Sequence, residues 1–171
     1  MMADEVIRTE RLVIRAMREE DWQWNQKIWR DFNQSEYEPY DDTLPEEDGA
    51  VQALTKKFIE SGLFFSVFLP DGGEMIGYIC FHQSGQEYDL GYCFRTGYQG
   101  KGYALESAKA VIAYLHETRG AVRFTAGTAL ENKPSCRLLE RLGFACCSTN
   151  TMSFEGKAPF LSGNFTMTIS H

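Results

Sequence analysis

The chain has 171 residues and a mass of 19.5 kDa, and 43% of its residues are hydrophobic. A chain of this length and composition can bury a core of its own, so we expect one domain over residues 1–171 and exclude a disordered protein. The formal net charge of −7 disfavours nucleic acid and anionic membranes as partners. No apolar run approaches the roughly eighteen residues that cross a bilayer, and no apolar signal segment is present, so we expect a cytoplasmic protein.

Cysteine usage and charge distribution narrow the class further. The cysteines are odd in number and lack metal-ligand spacing, which disfavours a disulfide framework and predicts no metal site: Cys80, Cys93, Cys136, Cys146 and Cys147. Residues 1–94 carry a net charge of −11, whereas residues 95–141 carry +4. This asymmetry fits a protein whose binding site attracts a cation on one side and an anion on the other. The alternative is the ordinary fluctuation of charge along a chain.

The first half of the chain predicts a strand, two helices and a three-stranded meander. Apolar residues alternate over residues 11–17, as in a strand with two usable faces. Acidic residues open a helix over residues 19–32, and a second helix over residues 46–62 stops at its final glycine. Residues 63–69 and 75–81 flank a Pro-Asp-Gly-Gly turn and predict a hairpin, to which a segment starting at Gln86 and ending at Arg95 adds a third strand.

The second half predicts two more helices between further strands. A helix over residues 102–119 precedes a strand over residues 122–128, and Asn132 is expected to cap a fourth helix. Strands over residues 144–154 and 160–169 complete the chain. The elements together predict an α/β (α+β) fold in which four helices flank a mixed, mostly antiparallel central sheet of about seven strands.

The segment GYQGKGYALES, residues 97–107, carries the most chemical content because it lies between a predicted strand and a predicted helix. Its glycines let backbone N–H groups turn toward one point, where the helix adds about half a positive charge, so it favours phosphate. Lys101 and Arg95 add cations. Gly102 stands where a Walker loop needs Ser or Thr, and Leu105 where a dinucleotide fingerprint needs glycine. Glycine-rich turns also occur for backbone reasons alone.

A second motif, ENKPSCRLLERLGF at residues 131–144, makes the first one specific. It follows RTERLVIRAM at residues 8–17, MIGYICF at residues 75–81, YDLGYCF at residues 88–94 and the glycine-rich segment. In this order the motifs resemble the GNAT superfamily of acyl-CoA-dependent N-acyltransferases, and more narrowly its branch with the RimJ and RimL ribosomal-protein acetyltransferases. The resemblance covers nearly the whole chain and is specific for the superfamily, not for the substrate.

The resemblance implies acetyl-CoA as the acyl donor. The CoA pyrophosphate would lie on the glycine-rich loop and the pantetheine arm along the strand before it. Asn132 matches the family asparagine near the thioester, Ser135 matches a serine one turn later, and both are candidate catalytic residues. Arg137 can reach the phosphates or be an ordinary helix charge. The predicted cofactor-binding residues are Tyr92, Cys93, Phe94, Arg95, Gln99, Gly100, Lys101, Gly102, Tyr103, Ala104, Asn132 and Arg137.

Two departures from the family pattern affect the expected chemistry. Gly97 occupies a position where the family often has Gln or Arg, so one frequent phosphate contact is missing. Leu139 stands where many relatives carry a tyrosine as general acid. The acid role would move to Ser135, a nearby tyrosine or water, and a thiol of pKa about 8.5 leaves readily as a thiolate without a dedicated acid.

The expected reaction is direct attack of a neutral primary amine on the thioester carbonyl. N–H groups around Cys93 and Phe94 would stabilise the oxyanion. Asp89 matches a position where this branch often carries an acidic residue, so it is the candidate general base, with Glu87 and His82 as alternatives. Asp89 fits an ordinary solvent-facing strand position equally well.

Residues 35–48 contain seven acidic residues and no basic one, with aromatic residues between them. We expect Glu36, Glu38, Tyr40 and Asp41 to bind a cationic acceptor, either a peptide amino terminus or a small amine. The alternative is a solvated loop. A homodimer is compatible with the sequence. A GNAT-like sensor or scaffold that binds acyl-CoA without turnover also stays open, because the acid tyrosine is missing.

Overall fold

The computed structural model describes residues 1, 5–71 and 73–170. Residues 2–4, at the amino terminus, and Gly72, in the predicted turn, lie outside the described residues. The strands within the described ranges are β1 (Val6–Arg8), β2 (Val13–Ala16), β3 (Phe64–Phe68), β4 (Met75–Ser84), β5 (Glu87–Phe94), β6 (Arg123–Ala129), β7 (Ala145–Met152) and β8 (Phe160–Thr168). The longer helices are α1 (Trp22–Asn33), α2 (Asp48–Ser61), α3 (Tyr103–Arg119) and α4 (Lys133–Leu142).

The described strands form one sheet in the order β1-β2-β3-β4-β5-β6-β8-β7, and their pairing is antiparallel except between β5 and β6. The predicted mixed, mostly antiparallel sheet with four helices is thus confirmed, with eight strands instead of about seven. The additional strand is β1, whose three residues pair with β2 but are too few to show alternation. None of the described helices is long and apolar enough to cross a membrane.

The sheet carries a separate apolar core on each face. On one face, α3 contributes Val111 and Leu115 and α4 contributes Leu139, packed with strand residues such as Leu90 and Phe124. On the other face, α1 and α2 pack against β3, β4 and β5 around Trp29, whose indole N–H donates to the Tyr78 hydroxyl at 3.0 Å. Alternation along β5 therefore directs Leu90 toward α3, and Cys93 toward α1 and α2.

The parallel strands β5 and β6 pair over only three residues. Their register runs from Glu87 opposite Arg123 to Asp89 opposite Thr125, and no pairing continues beyond that point in the described residues. The remaining five residues of β5, 90–94, keep β4 on one side and face a gap on the other. This gap is the structural origin of the site described next.

Candidate active site

A cavity of about 420 Å³ opens where β5 and β6 separate. Its volume lies in the range of small-molecule sites, about 300 to 1,000 Å³. Its walls come from β5, the loop before α3, the start of α4 and the segment between α1 and α2. It includes ten of the twelve predicted cofactor-binding residues: Tyr92, Cys93, Phe94, Gln99, Gly100, Gly102, Tyr103, Ala104, Asn132 and Arg137.

The free edge of β5 presents backbone groups to this cavity. The N–H of Arg95 donates to the carbonyl of Ile76 at 3.0 Å. Because backbone groups of successive strand residues point to opposite sides, this bond shows which residues of β5 face β4. The N–H and C=O groups of Tyr92 and Phe94 therefore point into the gap, whereas those of Cys93 point toward β4. Of the two N–H groups expected at the oxyanion, only that of Phe94 faces the gap.

The loop before α3 presents a second set of backbone donors. Gly100 and Gly102 have φ angles of 74° and 82°, which L side chains rarely adopt. The N–H groups of residues 102–105 have no protein acceptor within the described part of the chain, as is usual for a first helical turn. Because the helix dipole directs its positive end to the same place, this loop fits a phosphate anion.

Arg11, in the turn between β1 and β2, braces this loop and was missed by the sequence analysis. Its Nε donates to Glu106 at 2.9 Å, and its Nη1 donates to the carbonyl of Lys101 at 2.9 Å. Glu106 also accepts a 2.6 Å hydrogen bond from the Thr9 hydroxyl. Partial burial alone would raise the pKa of the Glu106 carboxyl, but the hydrogen bonds from Thr9 and Arg11 outweigh it and lower the pKa. Arg11 thus compensates the negative charge in the first turn of α3.

The two cations that the sequence placed at the phosphate lie outside the cavity lining. Arg95 pairs with the Glu74 carboxylate, which also accepts a 2.8 Å hydrogen bond from the Tyr98 hydroxyl. Hydrogen bonds from Tyr98 and Arg95 lower the pKa of Glu74. The ammonium of Lys101 lies 5.8 Å from the ring centroid of Tyr98. Arg95 is thus engaged by Glu74, whereas Arg137 lines the cavity.

Tyr92 and Ser135 form a pair of hydroxyl groups in the cavity wall. Their oxygens share a hydrogen bond, and the Ser135 N–H donates to the Asn132 side chain at 3.2 Å. Asn132 therefore caps α4, as predicted. Burial raises the pKa of Tyr92 to about 12, so its hydroxyl stays protonated near neutral pH. A strand tyrosine thus lies next to the serine that the sequence proposed as an acid, whereas Leu139 is buried in the core.

The acidic segment between α1 and α2 forms the opposite wall. Of the four residues expected to bind the acceptor, Tyr40 and Asp41 line the cavity. Glu38 forms a 2.9 Å ion pair with Lys157 instead, and Glu36 is exposed outside the lining. The cavity thus has an acidic side here and a basic side at α4, as the uneven charge of the chain suggested.

Asp89 and its two alternatives also lie outside the cavity lining. The Asp89 carboxylate accepts a 2.8 Å hydrogen bond from the Thr125 hydroxyl where β5 and β6 still pair. Glu87 and His82 are exposed beside it, at the same end of the β4–β5 hairpin. The structure brings Asp41 to the cavity, and none of these three.

The cysteines show no features of a nucleophile or a metal site at the cavity. All five are free thiols, and Cys93 alone among them lines the cavity. Burial raises the pKa of Cys93 to about 12, which keeps the thiol protonated near neutral pH. Within the described ranges, no three His, Cys, Asp or Glu side chains come together as they would around a metal ion.

The sequence of the chain is similar to those of known proteins. The family model of the acetyltransferase (GNAT) domain matches residues 11–145. The chain is 34% identical over 139 residues to the uncharacterized N-acetyltransferase YnaD of Bacillus subtilis (strain 168), covering 80% of this chain and 81% of that protein. It is 30% identical over 148 residues to the ribosomal protein uS5-alanine N-acetyltransferase of Escherichia coli (strain K12), covering 80% of this chain and 76% of that enzyme.

A solved structure has the same fold. RimL, a ribosomal L7/L12 alpha-N-protein acetyltransferase in complex with coenzyme A, superposes with a TM-score of 0.80 at 18% identity, covering 96% of this chain and 98% of that one. At this identity the likeness supports the fold alone, and the family match and the two sequence relatives carry the assignment. The chain belongs to the GNAT acetyltransferase family, in its RimJ- and RimL-like branch, and is an acyltransferase.

Proposed function

We propose that the protein transfers the acetyl group of acetyl-CoA to a primary amine, either the N-terminal α-amine of a peptide or protein or the amine of a small molecule. One observation carries this proposal. The cavity joins the free edge of β5, at the backbone of Tyr92 and the N–H of Phe94, to the N–H groups of residues 102–105, which have no acceptor among the described residues. An amide-bearing arm that ends in a diphosphate matches both sets of backbone groups at once.

The chain's own residues would hold the acyl donor as follows. The N–H groups of residues 102–105 bind the diphosphate, and the backbone N–H and C=O groups of Tyr92 pair with the pantetheine amides. Arg137 adds positive charge to the same cavity. When bound, acetyl-CoA supplies a thioester carbonyl that an amine can attack.

Three groups at β5 and α4 support the acyl transfer itself. The N–H of Phe94 faces the gap and stabilises the oxyanion as negative charge develops on the carbonyl oxygen. Tyr92 and Ser135, which share a hydrogen bond, protonate the leaving sulfur. This proton is a modest contribution, because a thiol with a pKa of about 8.5 leaves readily.

The acceptor is proposed to be an α-amine or small amine instead of a lysine side chain. An α-amine with a pKa of about 8 is roughly a tenth neutral at pH 7, whereas a lysine at about 10.4 is neutral in well under one part in a thousand. The acidic wall at Asp41 favours a cationic acceptor. The relative from Escherichia coli is named for the alanine of ribosomal protein uS5, which supports a peptide acceptor.

Thiol release from acetyl-CoA tests the proposal. The purified protein is assayed with amino acids, short peptides with free amino termini, polyamines and aminoglycosides, and we expect release with at least one class. If none reacts while acetyl-CoA still raises the melting temperature, either the acceptor lies outside the panel or the protein is the non-catalytic binding module. If acetyl-CoA gives no stabilisation either, the proposed donor site is wrong.

The cytoplasmic location and the homodimer stay predictions. β7 lies at one end of the sheet and all eight of its residues are exposed, so its free edge is where a second copy can pair. Light scattering on the purified protein measures the number of copies, and a Thr149→Pro variant removes a backbone donor from this edge.

A further inference from the structure

We propose that Asp41 receives the proton that the acceptor amine must lose, and that Lys157 positions Asp41 for this role. The inference rests on the proposed function, since it concerns the amine in the same cavity. It moves the base from Asp89, on β5, to the segment between α1 and α2.

Asp41 is placed where an amine would approach the thioester. It lines the same cavity as Tyr92, Cys93 and Ser135, on the opposite wall. After burial, the negative charge of Asp41 is the next cause that raises the pKa of Cys93, which agrees with the two residues lining the same cavity. An amine between the two walls can therefore contact the carboxylate on one side and the thioester on the other.

The contacts of Asp41 leave one carboxylate oxygen available. Oδ1 accepts a 2.8 Å hydrogen bond from the N–H of Asp42. Oδ2 has no hydrogen-bond partner within the described residues, and Asp41 is an exposed residue that lines the cavity. It can therefore accept a hydrogen bond from an amine or from a water bound to one.

Lys157, in the loop between β7 and β8, holds the backbone at Asp41. Its ammonium donates to the carbonyl of Glu38 at 2.7 Å and to the carbonyl of Asp41, and it forms the ion pair with the Glu38 carboxylate. The side chain of Lys157 is only 9% exposed. Because its nearest carboxylate is that of Glu38, the Asp41 carboxylate is fixed in place without being neutralised by direct contact.

Tyr40 anchors the segment between α1 and α2 at a second point. Its hydroxyl donates to Glu131 at 2.8 Å, and its ring meets that of Phe160 edge-on at 5.3 Å. The segment is thus held from β8 and from the turn before α4. Two independent anchors therefore hold the backbone that carries the Asp41 carboxylate, and general-base catalysis requires such positioning.

The electrostatic surroundings suit a base. Asp41 is an exposed residue, but the protein atoms around its carboxylate displace part of its hydration, which raises its pKa. The N–H of Asp42 lowers this pKa, the charge of Asp42 raises it and that of Lys157 lowers it, with a net increase. The other titratable or charged groups around Asp41 within the described residues are Tyr37, Tyr40, Tyr78, Cys80, Cys93 and Arg137. A carboxylate with a raised pKa accepts a proton more readily than an ordinary one.

The proton and electron balance is complete without a further reagent. The ammonium form of the acceptor gives one proton to Oδ2 of Asp41, which passes it to solvent. The nitrogen lone pair then forms the C–N bond, the C–S bond breaks, and the sulfur leaves with its electron pair. The second surplus proton on nitrogen leaves to solvent, and Tyr92 with Ser135 delivers one to sulfur and regains it from solvent.

The test compares Asp41→Asn with Asp42→Asn, because both residues are exposed but only Asp41 lines the cavity. We expect Asp41→Asn to lower kcat about a hundredfold or more and to abolish the acidic limb of its pH profile. Asp42→Asn should stay within twofold of the wild type. Asp41→Glu should recover part of kcat. Acetyl-CoA should raise the melting temperature of both Asn variants equally, which shows an intact fold and donor site.

Three outcomes would overturn the inference in distinguishable ways. An unchanged kcat with a raised acceptor KM in Asp41→Asn would mean that Asp41 attracts the cationic acceptor but does not accept its proton. Equal losses in both Asn variants would indicate a general charge effect. A wild-type protein that releases no thiol with any amine would contradict the proposed function itself, and the role of Asp41 with it.

Lys157→Met tests the positioning role. Since the charge of Lys157 lowers the pKa of Asp41, its removal should shift the acidic limb of kcat to higher pH, in addition to lowering kcat. Lys157→Arg should restore the position of the limb. A lower kcat with an unmoved limb would assign Lys157 a structural role only.

Discussion

The two walls of the cavity are built in different ways. The wall at α3 is made of backbone, with glycines of positive φ and the unpaired N–H groups of residues 102–105. The opposite wall is made of side chains, and Asp41 is held there by Lys157, 116 residues further along the chain. A backbone site is specified by a short local motif and binds a constant ligand. A side-chain wall held by distant contacts can change its acceptor without disturbing the donor site.

The comparison is tested most directly at the backbone wall. Gly102→Ala should raise the KM for acetyl-CoA at least fivefold, because φ of 82° is unfavourable for alanine by about 1–2 kcal/mol and an added Cβ would lie 3.2 Å from the Arg11 guanidinium. The acceptor KM should not change. Steady-state kinetics with each substrate varied in turn measures both values.

Gly85→Ala is the matched control. Gly85 has a φ of 60° in the turn between β4 and β5, with no heavy atom within 4 Å of an added Cβ. Both variants should lose a similar amount of thermal stability, but Gly85→Ala should keep the KM for acetyl-CoA. An equal rise of this KM in both would mean that the loop conformation does not bind the donor.

The same difference explains what the sequence could predict. Spacing within one element identified the helices, the glycine loop and the cap at Asn132, because their determinants lie within a few residues. It could not show that Arg95 forms an ion pair with Glu74, or that Tyr92 shares a hydrogen bond with Ser135, which is 43 residues away in the sequence. Those contacts depend on how the strands and helices pack, which a single sequence does not display.

The choice of base shows this limit most clearly. Asp89 follows from a resemblance in position, yet β5 and β6 are still paired at that point. One oxygen of its carboxylate accepts from Thr125, and the residue lies outside the cavity lining. Asp41 is one of seven acidic residues in its segment, and only the Lys157 contact and the cavity distinguish it from Asp42. The run of acidic residues predicted an acidic side of the cavity, but not which carboxylate lies in the same cavity as the β5 residues.

A smaller effect is expected at the acceptor wall from Tyr40→Phe. The variant loses the hydrogen bond to Glu131, which contributes on the order of 1 kcal/mol, but keeps the ring contact with Phe160. We expect the acceptor KM to rise a few-fold with an unchanged acetyl-CoA KM, the opposite of the result for Gly102→Ala. The same two-substrate kinetics measures it.

Tyr114→Phe is the matched control, because it removes a tyrosine hydroxyl that donates to a carboxylate away from the cavity. Tyr114 lies on α3, outside the cavity lining, and its hydroxyl donates to Glu5 at 3.3 Å. Both KM values should match the wild type. If Tyr40→Phe raised the acetyl-CoA KM as well, the two walls would be coupled and the comparison between them would fail.

The smallest expected effect concerns Glu106, where the backbone wall depends on a long-range side-chain contact. Its carboxylate holds Arg11 and Thr9, 95 and 97 residues away, and its pKa lies below the usual 4.5. A carboxyl whose pKa is lowered by folding stabilises the protein above its unfolded pKa, and this contribution disappears as the pH falls through the folded pKa.

Glu106→Gln should therefore lower the free energy of unfolding by about 1 kcal/mol at pH 7. In urea unfolding near pH 3, the difference from the wild type should shrink. Glu117→Gln, on the exposed side of the same helix, should differ from the wild type at neither pH. A difference for Glu106→Gln that is independent of pH would mean that its contacts do not require the charge.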